Sequence, residues 1–119
     1  MPSLVVLMIE AEQPEGISTR KLVVETAKHN VITAYSIDDG LDLLRRFPNV
    51  DAIFVHARLL EESPDILSTV RQMDPGIPVI LAAPFGNMRS PHADFVIDSH
   101  HPEDLLRLLV HEIQPRHRP

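Results

Sequence analysis

The side chains that could do chemistry in this sequence are acids and histidines that closely follow short apolar runs. Glu10, His56, His100 and His101 all stand in such positions. Imidazole and carboxylate groups bind zinc and similar metals, and imidazole also changes its charge near neutral pH. Their spacing matches no common ligand motif. The simpler interpretation is therefore that they are ordinary residues at strand ends, with a transition-metal site as the alternative.

Five apolar runs, rich in β-branched and aliphatic residues, must position these side chains. Such runs are typical of strands that are buried on both faces of a parallel sheet. They cover residues 4–9, 31–35, 52–55, 79–82 and 95–97. Apolar residues at helical spacing predict helices over about 18–29, 36–47, 63–73 and 102–113. The alternation of strands and helices predicts an α/β fold, a three-layer doubly wound domain with its functional edge at the carboxyl ends of the strands.

Helix boundaries can be predicted from caps and prolines. Ser36 is placed to cap the second helix, and Ser63 with Pro64 is placed to open the third. Pro102 is similarly placed to open the last helix. These signals predict a single domain over residues 1–113 and a polar tail over 114–119.

The composition limits the classes of function. The 119 residues carry a net charge of −6 and include no cysteine. An acidic chain argues against binding to nucleic acid, and the absence of cysteine excludes disulfides and thiolate metal sites. No apolar run approaches the ~20 residues of a membrane span, and the start lacks the features of a signal peptide. We therefore expect a cytoplasmic protein with neither a nucleic-acid nor a membrane partner.

This layout resembles the receiver domain of two-component response regulators over nearly the whole chain. The similarity lies in the order of the elements and in residues 50–55 before the third strand's end, 77–80 at the fourth strand and 93–94 before the fifth. The resemblance implies a flavodoxin-like, or CheY-like, five-stranded parallel sheet with the strand order 2-1-3-4-5. It also implies a role in phosphorelay signalling of the bacterial type.

The residues that carry receiver chemistry differ at most key positions, and of the acidic pair only Glu10 is an acid. The resemblance implies a phospho-acceptor carboxylate at His56 and an acidic, magnesium-binding pair at Glu10 and Ala11. It implies a hydroxyl residue at Ala83 and a lysine at Ser99. Phosphoryl transfer depends on positioning and on charge neutralisation by metal and cation. We therefore predict a degenerate receiver, or pseudo-receiver, that is not an enzyme, needs no cofactor and is not phosphorylated on aspartate.

A further departure is the short connection between the fourth and fifth strands. Receiver domains insert a full helix there, whereas this chain has only residues 84–94, which include Pro84, Gly86 and Pro91. Proline and glycine are unfavourable inside helices. The sequence therefore predicts that the family's fourth helix is absent or vestigial.

Loss of that helix would uncover apolar side chains on the last two strands, and uncovered apolar surface is typical of an interface. We expect a protein partner or self-association through the region 84–97, with Phe85, Met88 and Phe95 as candidate contacts. The alternative is that the connection folds back and covers the gap itself.

His56 allows three interpretations. The favoured one is a neutral, space-filling imidazole that needs one hydrogen-bond partner; the others are a pH sensor beside Glu10 and a phosphorylated histidine. The function predicted for the chain is an atypical receiver module that acts by protein contacts. The alternatives are a phosphorelay element that uses His56 and a transition-metal or small-ligand sensor at the strand-end pocket of histidines and glutamates.

Overall fold

The structure is a computed structural model that describes residues 4–10, 29–47, 49–84, 89–98 and 101–114. The predicted first helix lies outside these ranges except for His29, as does the polar tail after Gln114. No helix within the described ranges is both long and apolar enough to cross a membrane.

Five parallel strands form one sheet in the order β2-β1-β3-β4-β5, which confirms the predicted fold. The strands are β1 (Val5–Ile9), β2 (Asn30–Ala34), β3 (Ala52–His56), β4 (Val79–Ala83) and β5 (Phe95–Asp98). The described helices are α1 (Ile37–Arg46), α2 (Leu59–Glu62), α3 (Ile66–Met73) and α4 (Pro102–His111). Each strand was predicted from its apolar run to within one residue at either end.

Side chains of the strands alternate between two apolar clusters, one on each face of the sheet. One cluster joins the sheet to α1, α2 and α3, and its members include Leu7, Ile53, Leu81, Leu44, Leu59 and Val70. The other joins it to α4, and its members include Val6, Met8, Phe54, Ile80, Leu105 and Leu109. Helices therefore cover both faces, which makes the domain three-layered.

Helix α1 begins where the sequence predicts it to begin. The Ser36 hydroxyl oxygen accepts a hydrogen bond from the backbone N–H of Asp39 at 3.2 Å, which is the N-cap arrangement. Asp38 and Asp39 lie in the first turn, where the helix dipole favours acids. On the inner face Gly40 lies against the buried side chain of Ile9 in β1, so the helix and the strand approach closely there.

The predicted start of the third helix is wrong. The segment contains a short helix, α2, and then α3, which begins only at Ile66. The backbone N–H of Ser63 donates to the carbonyl of Leu59 at 2.9 Å, so Ser63 ends α2 and cannot open the next helix. Pro64 and Asp65 form the turn between the two helices. A serine–proline pair after a run of helix-forming residues is compatible with both arrangements.

Among the described residues between β4 and β5 (84 and 89–94) none is in an α-helix, and residues 85–88 lie outside the described ranges, so the absence of the helix stays a prediction. All five residues of β4 are nevertheless at most 1% exposed. The prediction that a missing helix uncovers apolar side chains on β4 is therefore wrong. Phe85 and Met88, two of the candidate contacts, lie outside the described residues.

Phe95, the remaining candidate contact, lies within the described residues. A right-handed crossover from β4 to β5 would put a helix on the same face as α3. Phe95 is half-buried against the cluster of α4, on the opposite face, and Val96 is the β5 residue on the face of α3. Because successive strand residues point to opposite faces, a helix in this connection would cover Val96 and leave Phe95 unaffected.

Arg71 of α3 ties the connection between β4 and β5 to the rest of the domain. Its Nη1 donates to the carbonyls of Pro75 at 3.1 Å and Ile77 at 2.8 Å. Its Nη2 donates to the carbonyl of His92 at 2.9 Å and to the Asp94 carboxylate at 2.8 Å. One guanidinium thus holds the turn before β4 and the segment before β5 against the same helix.

Two aspartates bind the first backbone amides of neighbouring strands. The N–H of Val5, the first residue of β1, donates to the carboxylate of Asp51 at 2.7 Å. The N–H of Val79, the first residue of β4, donates to the carboxylate of Asp94 at 2.8 Å. Asp51 directly precedes β3, which pairs with β1, and Asp94 directly precedes β5, which pairs with β4. Each hydrogen bond therefore fixes the register of two paired strands at their starts.

Candidate functional site

The carboxyl ends of the strands meet at one edge of the sheet, and the candidate residues stand there. His56 ends β3, Ala83 ends β4 and Asp98 ends β5, while Glu10 directly follows β1. Ile9 is paired with Val55, so Glu10 and His56 are the next residues along two neighbouring strands. Adjacent strands lie about 4.8 Å apart, so these two residues are neighbours across the edge.

Glu10 is fully buried. Its backbone N–H donates to the carbonyl of Ala34 at 2.9 Å, which extends the pairing of β1 with β2 by one residue. Magnesium keeps several of its waters when it binds to proteins, so it needs carboxylates that reach solvent. A residue with no exposed surface offers no such ligand in this arrangement.

His56 has the hydrogen-bond partner that a neutral imidazole needs. Its Nδ1 accepts a hydrogen bond from the backbone N–H of Arg58 at 3.1 Å. A backbone N–H can only donate, so Nδ1 carries no proton in this arrangement. The lone pair of Nδ1 is thereby directed at the main chain, and the ring is held in one orientation at the end of β3.

Ala83 is buried at the end of β4, with 1% of its surface exposed. A methyl group there can neither donate to nor accept from a phosphoryl oxygen. Ala11 and Ser99, the other two positions at which the sequence departs from the receiver pattern, lie outside the described residues, as does His100.

His101 is held at the junction of β5 and α4. Its Nδ1 lies 3.1 Å from Oε1 of Glu103, and its Nε2 lies 3.4 Å from Oδ2 of Asp98. The hydrogen bond with Glu103, followed by the charge of Asp98, raises the pKa of His101. The pKa of Glu103 is lowered, first by its own backbone N–H and then by His101. Sequence reasoning missed both partners, although an acid close by on each side was a readable signal.

The described part of the chain does not assemble the alternative metal site. Within it no three histidine, aspartate or glutamate side chains converge as ligands for a metal ion. Of the four candidates, Glu10 and His56 lie at the ends of neighbouring strands, and His101 is engaged with its own acids near α4. His100 lies outside the described residues.

The His101 contacts predict a pH dependence of stability. Because the folded-state pKa of His101 is raised, its contribution is present below the unfolded-state pKa and is lost as pH rises through the folded-state pKa. We expect His101→Gln to be destabilising at about pH 5.5 and nearly neutral at about pH 9, by urea unfolding.

His29 is a control for which the pH dependence of stability is expected to have the opposite sign. Its Nδ1 accepts from the N–H of Leu4 at 3.1 Å, and burial lowers its pKa. Its contribution is therefore present above the unfolded-state pKa and lost as pH falls through the folded-state pKa. His29→Gln should be most destabilising at the higher pH. Equal effects of pH on the two variants would contradict the assignment of the His101 contacts.

Comparison with known proteins identifies the fold. No protein-family model matches this sequence, and no curated protein matches it significantly. The structure is similar to the chemotaxis protein CheY4 of Vibrio cholerae, with a TM-score of 0.69 and 19% identity over 92% of this chain and 98% of that one. It is similar to a response regulator receiver domain protein of Clostridium thermocellum, with a TM-score of 0.66 and 19% identity over 89% and 98%.

A third similar structure is the N-terminal domain of a response regulator receiver protein from Methanoculleus marisnigri, with a TM-score of 0.58, 19% identity and coverage of 92% and 98%. The similarity thus extends over nearly the whole length of each of these three chains. The chain therefore has the CheY-like receiver fold, a five-stranded parallel sheet with flanking helices.

Proposed function

We propose that this chain is a receiver-type signalling module that acts through protein contacts and is not phosphorylated on an acceptor carboxylate. The observation that carries the proposal is the place of His56. Its imidazole, bonded to the N–H of Arg58, ends the strand at the position where the resemblance implies the acceptor carboxylate. The fold supports the receiver part of the proposal.

The surrounding residues support the absence of phosphoryl transfer. In a receiver, a carboxylate attacks phosphorus while magnesium and a lysine neutralise the oxygens. Here Glu10 is buried, Ala83 has no hydroxyl group and Ser99 has no charge. Each loss removes an interaction that would stabilise the transition state of phosphoryl transfer.

Incubation with an acyl phosphate and Mg²⁺, followed by intact-mass measurement, tests the proposal. We expect no phosphoryl adduct on the wild-type chain under conditions that modify an ordinary receiver domain with an aspartate acceptor. The variant His56→Gln is the matched control, since it keeps a polar side chain but removes the nucleophilic nitrogen.

Two results would contradict the proposal. An acid-labile adduct that disappears in His56→Gln would make the chain a phosphorelay element that uses histidine. A hydroxylamine-sensitive adduct that persists in this variant would show that a carboxylate is the acceptor. Calorimetric titration with zinc separately tests the sensor alternative, and stoichiometric binding that is abolished in His56→Gln would favour that alternative over the proposed function.

A further inference from the structure

The turn between β3 and α2 is closed by a side chain of the strand that precedes it. The backbone N–H of Arg58 donates to Nδ1 of His56 at 3.1 Å, and Arg58 is the N-cap residue of α2. The side chain of Arg58 itself makes no capping hydrogen bond. The N–H groups at the start of a helix need partners from outside the helix. His56 therefore fixes the start of α2 through its ring.

This hydrogen bond uses the lone pair of the neutral imidazole. A neutral ring has one nitrogen with a lone pair and one nitrogen that carries the proton. Because Nδ1 accepts from Arg58, the proton of the neutral ring lies on Nε2. A second proton can be added only at Nδ1, where it would point at the N–H of Arg58. The protonated ring and the closed turn therefore exclude one another.

Helix α2 is an element that can respond to the loss of this bond. It has only four residues, and Ser63 and Pro64 follow it directly. A helix this short depends on packing and on its caps, because it forms few hydrogen bonds of its own. Its packing comes from Leu59, which is 4% exposed, and from the half-buried Leu60. A short element of this kind opens at a low cost in free energy.

Charged groups from neighbouring elements lie around this imidazole. Glu10 follows β1, Arg58 stands on the turn, and α2 contributes Glu61 and Glu62. The described residues of β4 beside the ring, 82 and 83, are alanines. A carboxylate at Glu10 favours a protonated ring and the Arg58 guanidinium opposes it, while the exposed glutamates of α2 are screened by water. The nearest charges thus act in opposite directions, and the hydrogen bond to Nδ1 decides which state the closed turn accepts.

We propose that His56 is a pH-sensitive switch for α2, in which the neutral ring holds the helix closed and the protonated ring releases it. The closed state is present above the range in which imidazole changes its charge and is lost as pH falls through that range. Release frees Leu59 and Leu60 from the sheet, so acidification changes the apolar surface beside the carboxyl edge. The switch goes beyond the proposed function, since it needs no phosphoryl group.

Amide hydrogen exchange, followed by NMR at about pH 7.5 and about pH 5.5, tests the switch. The reporters are the N–H groups of Leu60, Glu61 and Ser63, which donate to the carbonyls of residues 57, 58 and 59. After correction for the intrinsic exchange rates, their protection should fall by about tenfold on acidification. The N–H of Thr69 in α3, which donates to the carbonyl of Asp65 at 2.9 Å, is the internal control for changes in global stability.

Two variants fix the switch in its two states. His56→Asn keeps an acceptor that can bond to the N–H two residues on but does not titrate, so the reporters should stay protected at both pH values. His56→Leu has no acceptor, so the reporters should exchange rapidly at both. His111→Gln is the matched control, because His111 is an exposed histidine at the end of α4, and this variant should keep the wild-type response.

Three results would overturn the inference. The first is a wild-type chain in which acidification leaves the reporters as protected as Thr69. The second is a His56→Asn variant, with wild-type circular dichroism, that loses protection on acidification as the wild type does. The third needs no variant: ring ¹⁵N shifts of wild-type His56 that place the proton on Nδ1 at about pH 7.5. The acyl phosphate experiment would still decide the proposed function in each case, because it does not depend on the opening of α2.

Discussion

Replacement of Arg71 by methionine should lower the free energy of unfolding by about 2–4 kcal/mol. The guanidinium donates to three backbone carbonyls and to the Asp94 carboxylate, and only 26% of its side chain is exposed. A hydrogen bond to a charged group contributes roughly 1.5–3 kcal/mol when it is shielded from water. The sum for four such bonds is larger than the loss that we expect. The expected loss is smaller because water can hydrogen-bond to part of the carbonyls after the replacement.

The carbonyls account for most of this effect. Asp94 is 43% exposed, so its ion pair with Arg71 is screened by solvent and contributes little by itself. Arg71→Lys should therefore recover only a minor part of the stability, because an ammonium group cannot direct hydrogen bonds along the fork of a guanidinium.

Urea unfolding followed by circular dichroism measures both changes, and Arg46→Met is the matched control. The ion pair of Arg46 with Asp42 is more than half exposed on both sides, so its loss should cost about 0.5 kcal/mol or less. If Arg71→Met were no more destabilising than Arg46→Met, Arg71 would not hold the connection between β4 and β5.

Replacement of Gly40 by valine should destabilise the domain by about 3 kcal/mol, and replacement by alanine by about 1 kcal/mol. A Cβ atom at Gly40 would lie 2.4 Å from Cδ1 and 2.7 Å from Cγ1 of Ile9, which is fully buried. Alanine gains roughly 1 kcal/mol in helix propensity over glycine, which offsets part of the clash. Valine adds two further methyl groups and gains less helix propensity over glycine than alanine does.

A double-mutant cycle identifies the clash as the cause. Ile9→Val removes Cδ1, the atom nearest to the new Cβ, so Gly40→Ala should be less destabilising in the Ile9→Val background. Gly76→Ala is the matched control, because the nearest atom to its Cβ would be a side-chain oxygen of Asp74 at 4.0 Å, and its effect should stay within about 0.5 kcal/mol. Equal losses at Gly40 and Gly76 would contradict the argument.

Buried strands could be predicted well from this sequence because burial on both faces leaves a continuous apolar run. The position of His56 followed directly, since a residue after such a run stands at the carboxyl edge of the sheet. The start of α3 could not be predicted, because Ser63 and Pro64 suit either the end of one helix or the start of the next.

Contacts between distant segments were beyond the reach of sequence patterns. Arg71 and Asp94 are 23 positions apart, and neither belongs to a motif. Gly40 gave no signal either, because its role depends on the side chain of Ile9 in another element. The partners of His101 could have been proposed from nearby acids, but which of them lies within reach depends on the turn between β5 and α4.

The carboxylate of Asp94 has a consequence for how the chain can vary. It binds the first amide of β4 directly in front of β5, so the alignment of these two strands is marked at their starts. A one-residue slip would move every β5 side chain to the opposite face. Asp94 lies at the end of the connection, next to β5. The connection can therefore change in length without changing the alignment that the hydrogen bond between Asp94 and Val79 sets. The sheet can therefore lose or regain a helix at this point as an interchangeable insert while its last strand stays in place.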